Sequence, residues 1–206
     1  MSHNDCLLIQ SIPIGPMLNL AYFFGDKDTG EIAVVDPGWD IPFILGTAKK
    51  KDLKITCILL SHGHYDHADG AKELTEALNI PVYISEKEIT LYLPDCPHLK
   101  KTKHCQKICV GKVAIECLHT PGHTPGCQCF YTPGHLLTGD TLFVGGCGRC
   151  DLPGGSEEEL LRSMERVINK LPDDTIIYPG HAYGPLTSTI GKERKKNPYL
   201  GPHHAR

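Results

Sequence analysis

Apolar and polar positions along this chain switch between a period of two and a period near 3.6, and the switches mark its elements. Short apolar runs at 7–14 and 18–24 read as strands, separated by Pro13-Ile14-Gly15-Pro16 and closed by Gly25-Asp26. A third strand at 31–35 ends in Asp36-Pro37-Gly38. Asp40 then stands where a helix cap is needed, and Ile41, Ile44, Leu45 and Ala48 form one stripe of a helix running to about residue 51. The run 55–60 is continuously apolar at strand length, so it is expected to be buried on both faces. A helix over 66–79, with Ala71, Leu74, Ala77 and Leu78 inward, leads to a strand at 81–85. Residues 95–106, rich in Lys, His, Cys and Pro, read as a surface excursion. Short strands follow at 108–110, 113–119, 127–132 and 135–138. Ser156 with Glu159 forms a capping box, and Leu160, Leu161, Met164, Val167, Ile168 and Leu171 then recur at helical period until Pro172. A last strand is predicted at 175–178.

Strands come first, and the strand-then-helix order recurs in both halves. No internal repeat and no Ser/Gly linker divides residues 1–206, so a single domain is expected, α+β or α/β in class. Two sheets face to face with helices outside is the simplest packing. The composition, 40% hydrophobic and 22% charged, suits a buried core, and the net charge of -3 argues against a basic nucleic-acid surface. No apolar run approaches the ~20 residues of a membrane span. Met1-Ser2-His3-Asn4-Asp5-Cys6 has no basic targeting region, and a cytoplasmic protein is the expectation. The 10 cysteines fall short of the ~8–10% of a disulfide scaffold. Most of them are accordingly read as small buried hydrophobes, with an additional metal or redox role as the alternative for Cys127-Gln128-Cys129 and Cys147-Gly148-Arg149-Cys150. Trp39, the only tryptophan, is read as a packing residue.

The 12 histidines change the picture, because several stand where apolar runs end. Ser61-His62-Gly63-His64-Tyr65-Asp66-His67 follows the buried run and opens the second helix. His62 and His64 are two apart, so an extended strand end projects both rings to one side. Asp66 and His67 can face the same pocket from the opposite flank. Imidazole and carboxylate suit divalent first-row metals, and this stretch alone suffices for parts of two metal sites. Further ligand types recur at turns: His123 in Pro121-Gly122-His123-Thr124-Pro125-Gly126, Asp140 in Thr138-Gly139-Asp140, and His181 in Tyr178-Pro179-Gly180-His181. One strand-end His or Asp is usually a turn residue; the combined set points to a metal centre.

The stretch 61–67 resembles the signature of the metallo-β-lactamase superfamily, and His123, Asp140 and His181 match its remaining ligand positions in order. Gly139-Asp140-Thr141-Leu142-Phe143 through Gly146-Cys147-Gly148-Arg149 is similar to glyoxalase II, the hydroxyacylglutathione hydrolases. Asp151-Leu152-Pro153-Gly154-Gly155, Pro179-Gly180-His181 and Thr189-Ile190-Gly191-Lys192-Glu193-Arg194 resemble the short, single-domain members of that group. The resemblance implies an αβ/βα four-layer sandwich. It implies two divalent metal ions, zinc first, with iron or manganese as alternatives. His62, His64 and His123 would hold one ion; Asp66, His67 and His181 would hold the other, with Asp140 bridging. The implied reaction is hydrolysis of a small thioester such as an S-lactoylglutathione-like conjugate by a hydroxide held on the metals, which Asp66 would also orient. Arg149 would bind a glutathione carboxylate through its planar fork, and Tyr183 would touch the thiol conjugate. Glyoxalase II also grips glutathione through an appended helical domain, for which Lys192, Arg194, Lys195 and Lys196 are the available substitutes here. Asp36 either fixes a ligand imidazole or simply turns the chain before Pro37.

A second reading is a glyoxalase II-like persulfide dioxygenase with one iron on His62, His123 and Asp140; Gly148-Arg149-Cys150-Asp151 also resembles that group's loop. A third is a metal-binding protein without catalysis. The expected partner is a small-molecule thioester, not nucleic acid or a membrane.

Overall fold

The computed structural model describes residues 6–201; the N-terminal residues read above for targeting lie outside the described residues, apart from Cys6. One six-stranded sheet runs, in spatial order, β1 (Leu7–Ile14), β2 (Asn19–Asp26), β3 (Glu31–Val35), β4 (Lys54–Leu59), β5 (Val82–Ser85) and β6 (Leu99–Thr102). Its first pairings are antiparallel, and those from β3 to β6 are parallel. Parallel neighbours need crossovers, which α1 (Ile41–Lys50) supplies after β3, and α2 (Tyr65–Ala68) with α3 (Gly70–Leu78) after β4. The second six-stranded sheet comprises β7 (Gln106–Val110), β8 (Val113–His119), β9 (Gln128–Thr132), β10 (His135–Gly139), β11 (Ile176–Pro179) and β12 (Ser188–Thr189). α4 (Glu157–Arg166) crosses between the parallel pair β10 and β11, and α5 (Ile190–Lys196) follows β12.

Strand alternation divides the core into layers. On β2, Leu20, Tyr22 and Phe24 point between the sheets, where they join Leu59, Ile115, Phe130 and Leu137. Ala21 and Phe23 point the other way, with Ile41 and Ile44 of α1 and Leu74 of α3. On the far side, Leu136 and Ile177 pack under Leu160 and Met164 of α4 and Ile190 of α5. The result is the αβ/βα sandwich. β4 is buried on both faces as expected, but Ile55 and Cys57 lie on opposite faces although two apart. A bulge absorbs the difference: Ile32 pairs with Ile55 and Ala33 with Cys57, leaving Thr56 as the extra residue. No helix among the described residues is long and apolar enough to cross a membrane.

Several local expectations are corrected. Asp40 stands at the N-cap of α1, as expected, but its side chain makes no capping bond: it takes a left-handed φ of 58°, and its Oδ2 accepts instead from the Gly15 N–H at 2.9 Å. A capping side chain needs the extended backbone that this residue lacks. The helix expected at 66–79 starts at Tyr65 and is interrupted at Asp69. There Gly70 meets the Pro37 carbonyl so closely that a Cβ would stand 2.1 Å from it. The excursion at 95–106 contains β6, an edge strand whose exposed Lys100 and Lys101 hid it from the apolar pattern; lysines at such an edge discourage pairing with other chains. The helix after Ser156 ends at Arg166 and continues only as a turn of 3-10 helix, Ile168–Lys170. β12 and α5 carry too little apolar pattern to be read from sequence. Arg194 of α5 is not a free cation: it bonds the carbonyls of Asn169 at 2.5 Å and Leu171 at 2.6 Å and pairs with Asp173, tying α5 to the end of the α4 segment.

The Ser156 cap does form, its Oγ accepting from the Glu159 N–H at 3.2 Å. Urea denaturation of Ser156→Ala is expected to show a loss of about 1 kcal/mol. Phe130→Ala, which empties a fully buried position between the sheets, is expected to lose about 3–5 kcal/mol.

Candidate metal centre

The predicted ligands all leave the carboxyl ends of strands, the edge at which open α/β sheets present ligand crevices. β4 ends into the loop carrying His62 and His64, and α2 opens directly behind it with Asp66 and His67. His123 lies in the turn after β8, Asp140 directly after β10, and His181 two residues beyond β11. β2 anchors the last of these loops. Asn19 bridges His181, Leu20 N–H donates to the Gly180 carbonyl at 2.8 Å, and Tyr22 OH donates to the Pro179 carbonyl at 2.6 Å.

All seven side chains are buried and converge as overlapping groups. In the first, His62 Nε2 lies 3.1 Å from His64 Nδ1, which lies 2.9 Å from His123 Nε2. In the second, His67 Nε2 and His181 Nε2 are 3.2 Å apart, each 3.5 Å from Asp66 Oδ2. Asp140 lies between them, with Oδ1 3.4 Å from His67 Nε2 and Oδ2 3.5 Å from His123 Nε2 and 3.4 Å from His181 Nε2.

Hydrogen bonds from the outer nitrogens orient four of the five rings inward, whereas His64 turns Nδ1 inward and its Nε2 has no hydrogen-bond partner. His123 Nδ1 donates to the Arg149 carbonyl at 2.6 Å, and His181 Nδ1 to the Met17 carbonyl at 3.0 Å. His67 Nδ1 donates to Asp36 Oδ2 at 3.1 Å. His62 Nδ1 donates to Ser61 Oγ at 3.0 Å, and that hydroxyl donates onward to Asp36 Oδ2 at 2.6 Å. Each acceptor takes the proton of the outer nitrogen and turns Nε2 toward the centre, where it is free to ligate once a metal cation displaces any second proton on the ring. Bare nitrogens near 3 Å repel one another unless a cation lies between them, and metal–nitrogen bonds of ~2.0–2.1 Å at tetrahedral angles put donors roughly 3.3 Å apart. Asp140 Oδ1 has no hydrogen-bond partner despite its burial. The donor set therefore fits a pair of divalent cations.

The electrostatic field differs across the site. Burial, reinforced by His67 and His123, pushes His62 well below the ordinary imidazole range. Burial and then His123 bring His64 to about 4. Burial also opposes charge on His67, but Asp140, Asp36 and Asp66 outweigh it and raise the ring to about 9. His181 is likewise depressed by burial and raised, on balance, by Asp140. Burial disfavours the Asp140 carboxylate, yet His67 and the hydrogen bond from His181 hold it far below its usual range.

Asp36 both turns the chain and accepts a hydrogen bond from a clustered imidazole. Its φ of 50° turns the chain, and its carboxylate accepts from His67, from Ser61 Oγ and, at 2.7 Å, from the Ser61 N–H. Gly139 keeps this cluster closed: at φ +48° a Cβ would lie 2.5 Å from Ser61 Oγ. Three positioning residues escaped the sequence reading. Buried Glu88 accepts from Gly63 N–H at 3.1 Å and Thr124 Oγ1 at 2.8 Å, joining the His62–His64 loop to the His123 loop. Asn19 Nδ2 donates to Asp66 Oδ2 at 3.0 Å. Gln128 donates to the Leu60 carbonyl at 2.9 Å and accepts from Thr102 at 2.8 Å. Asn19 and Glu88 sit in no motif, and Gln128 lies between Cys127 and Cys129, where only the cysteines drew attention.

A cavity of about 670 Å³ opens over the cluster, lined in part by Arg149 and Tyr183. Tyr183 stacks on His181, with ring centroids 4.7 Å apart and planes 6° from parallel. Arg149 is exposed, and its guanidinium is forked on Asp151. Trp39 packs edge-on against Tyr65. Cys57, Cys117, Cys127 and Cys129 are buried outside disulfides, whereas Cys147 is only partly buried and lines the cavity.

Asp36→Asn tolerates the left-handed backbone but turns an amide NH₂ toward donors. Chelator competition is expected to show metal affinity about 10–100-fold weaker. Glu88→Gln, which sets an NH₂ among the N–H and O–H groups the carboxylate receives, is expected to destabilise the protein by roughly 1–3 kcal/mol in urea.

The family model described as the metallo-beta-lactamase superfamily matches residues 14–102 and 110–181. Hydroxyacylglutathione hydrolase GloC of Haemophilus influenzae is 34% identical over 191 residues, covering 84% of this chain and 89% of that protein. The probable polyketide biosynthesis zinc-dependent hydrolase PksB of Bacillus subtilis is 36% identical over 166 residues, covering 81% of this chain and 74% of that protein. Among solved structures, TTHA1623 in a di-iron-bound form has a TM-score of 0.82 at 31% identity, covering 93% of this chain and 100% of that one. With the family match extending over most of its length and all seven clustered side chains inside the matched segments, this chain belongs to the metallo-beta-lactamase superfamily of metallohydrolases.

Proposed function

We propose that the protein hydrolyses small thioesters, the class that includes S-lactoylglutathione, at a centre of two divalent metal ions. One observation carries the reading: two groups of ligand atoms meet on Asp140, one of whose oxygens faces His67 and the other His123. His62, His64 and His123 would hold one ion, and Asp66, His67 and His181 the other, with Asp140 shared. Zinc is the first choice, supported by the zinc-dependent hydrolase PksB; the di-iron form of TTHA1623 keeps iron as the alternative. Bound there, two divalent cations supply a water acidified from 15.7 towards ~7 and a Lewis acid for the carbonyl oxygen.

The chain supplies orientation. Asn19 holds the Asp66 carboxylate, which faces the cavity and can accept a hydrogen bond from the attacking water. In the reaction the water oxygen bonds to the acyl carbon, the carbon–sulfur bond breaks, and the departing thiolate takes up a proton. Arg149 and Tyr183 stand at the rim, where a thiol arm would pass. A reducing cytoplasm accords with this chemistry, because a free thiol is the product.

Thiol release is the test. Chelated protein is expected to be inactive and to recover with two equivalents of metal, and Asp66→Ala is expected to lower kcat by about 10²–10⁴-fold. Metal uptake with no thiol release from any thioester would leave a binding protein without catalysis. Oxygen uptake with a glutathione persulfide in place of thiol release would identify an iron-dependent persulfide dioxygenase using His62, His123 and Asp140.

A further inference from the structure

The walls of the cavity are aromatic and apolar. Phe143 meets His181 and Tyr183 edge-on, at 5.9 Å and 5.5 Å between centroids. Tyr92 meets His64 edge-on at 4.5 Å, and Tyr65 OH donates to Met17 Sδ at 3.3 Å. Leu152 also lines the cavity. Tyr65 and Tyr183 remain more than half exposed, at 57% and 58%, so this apolar surface faces solvent until something covers it.

Arg149 is the only lysine or arginine among the lining residues, and its fork is already engaged. Nε lies 2.6 Å from Asp151 Oδ1 and Nη2 lies 2.6 Å from Asp151 Oδ2. This is the geometry in which a guanidinium binds a ligand carboxylate. An incoming carboxylate would therefore exchange with Asp151 for the same two donors, and its gain would be offset by the pair it breaks. Glutathione carries more carboxylates than ammonium groups, so it brings net negative charge to a rim whose one lining lysine or arginine is already paired.

We propose that this pocket takes electroneutral thioesters with an aromatic or branched apolar acyl arm, and that Asp151 sets the preference by holding Arg149. For turnover the inference rests on the thioester hydrolysis proposed above; for binding it rests on the geometry of the pocket alone.

Calorimetric titration of the zinc-loaded protein with inert thioethers separates these two parts. The probes are a neutral S-benzyl thioether of N-acetylcysteamine and S-benzylglutathione. The neutral thioether is expected to bind about tenfold more tightly. Asp151→Asn is expected to narrow that ratio by about tenfold, through tighter binding of the glutathione thioether, an effect that added salt removes. Arg149→Gln is expected to leave the glutathione thioether's affinity within about twofold, since its charge is already engaged. Tighter binding of S-benzylglutathione to the unaltered protein, a ratio unmoved by Asp151→Asn, or a tenfold loss on Arg149→Gln would each overturn the proposal. In the turnover arm, phenylacetyl-N-acetylcysteamine is expected to exceed S-lactoylglutathione in kcat/KM. Should neither be hydrolysed while the binding order holds, the hydrolase reading fails and the pocket preference stands.

Discussion

The site depends on what one buried carboxylate accepts. Asp36 leaves the end of β3, and its oxygens take the Ser61 N–H, the Ser61 hydroxyl and the His67 Nδ1–H. These bonds join the ends of neighbouring parallel strands to the helix behind them. Through Ser61 Oγ they also reach His62. A buried acceptor with several donors fixes ring tautomers as well as positions, so one side chain determines that His62 and His67 turn their Nε2 atoms to the same point. The left-handed turn at Asp36 is a local strain, retained because the surrounding donors over-determine it.

A cluster of buried imidazoles and carboxylates is destabilising unless its charges and lone pairs find partners. Here the outer nitrogens of His62, His67, His123 and His181 are satisfied by protein, while the inner atoms face each other and Asp140 Oδ1 has no hydrogen-bond partner. The apolar layer between the sheets holds this arrangement in place, and the strand ends carry it at one rim. Metal binding would then add to folding stability, since the ligands are gathered only in the folded chain.

Much of this was readable before any coordinates, for physical reasons. The βα order and the doubly buried run of β4 imply a covered sheet, and the stripe from Leu160 to Ile168 implies a helix lying on one. His62, His64, Asp66 and His67 are close in sequence, so their proximity in space costs the chain little. His123, Asp140 and His181 were recognisable because each ends an apolar run. Asn19 and Glu88 were not, because Asn19 finds Asp66 47 positions away and Glu88 finds Thr124 36 positions away. Such pairings are created by the sheets and leave no local pattern. β6 was hidden for a different reason: its edge position favours lysines, which read as loop. The engagement of Arg149 depends on the turn that brings Asp151 back to it, and residue identities alone do not specify that turn.

The extra residue at Thr56 bears on how the chain tolerates change in length. In a strand, losing one position normally turns every later side chain over to the opposite face. β4 already contains one surplus position, and removing Thr56 would leave Ile55, Cys57, Ile58 and Leu59 in strict alternation with no face exchanged. A deletion anywhere between Cys57 and Leu60 would instead rotate the strand end that delivers His62. The bulge is thus a point at which this strand can shorten while the rim that carries His62 keeps its orientation.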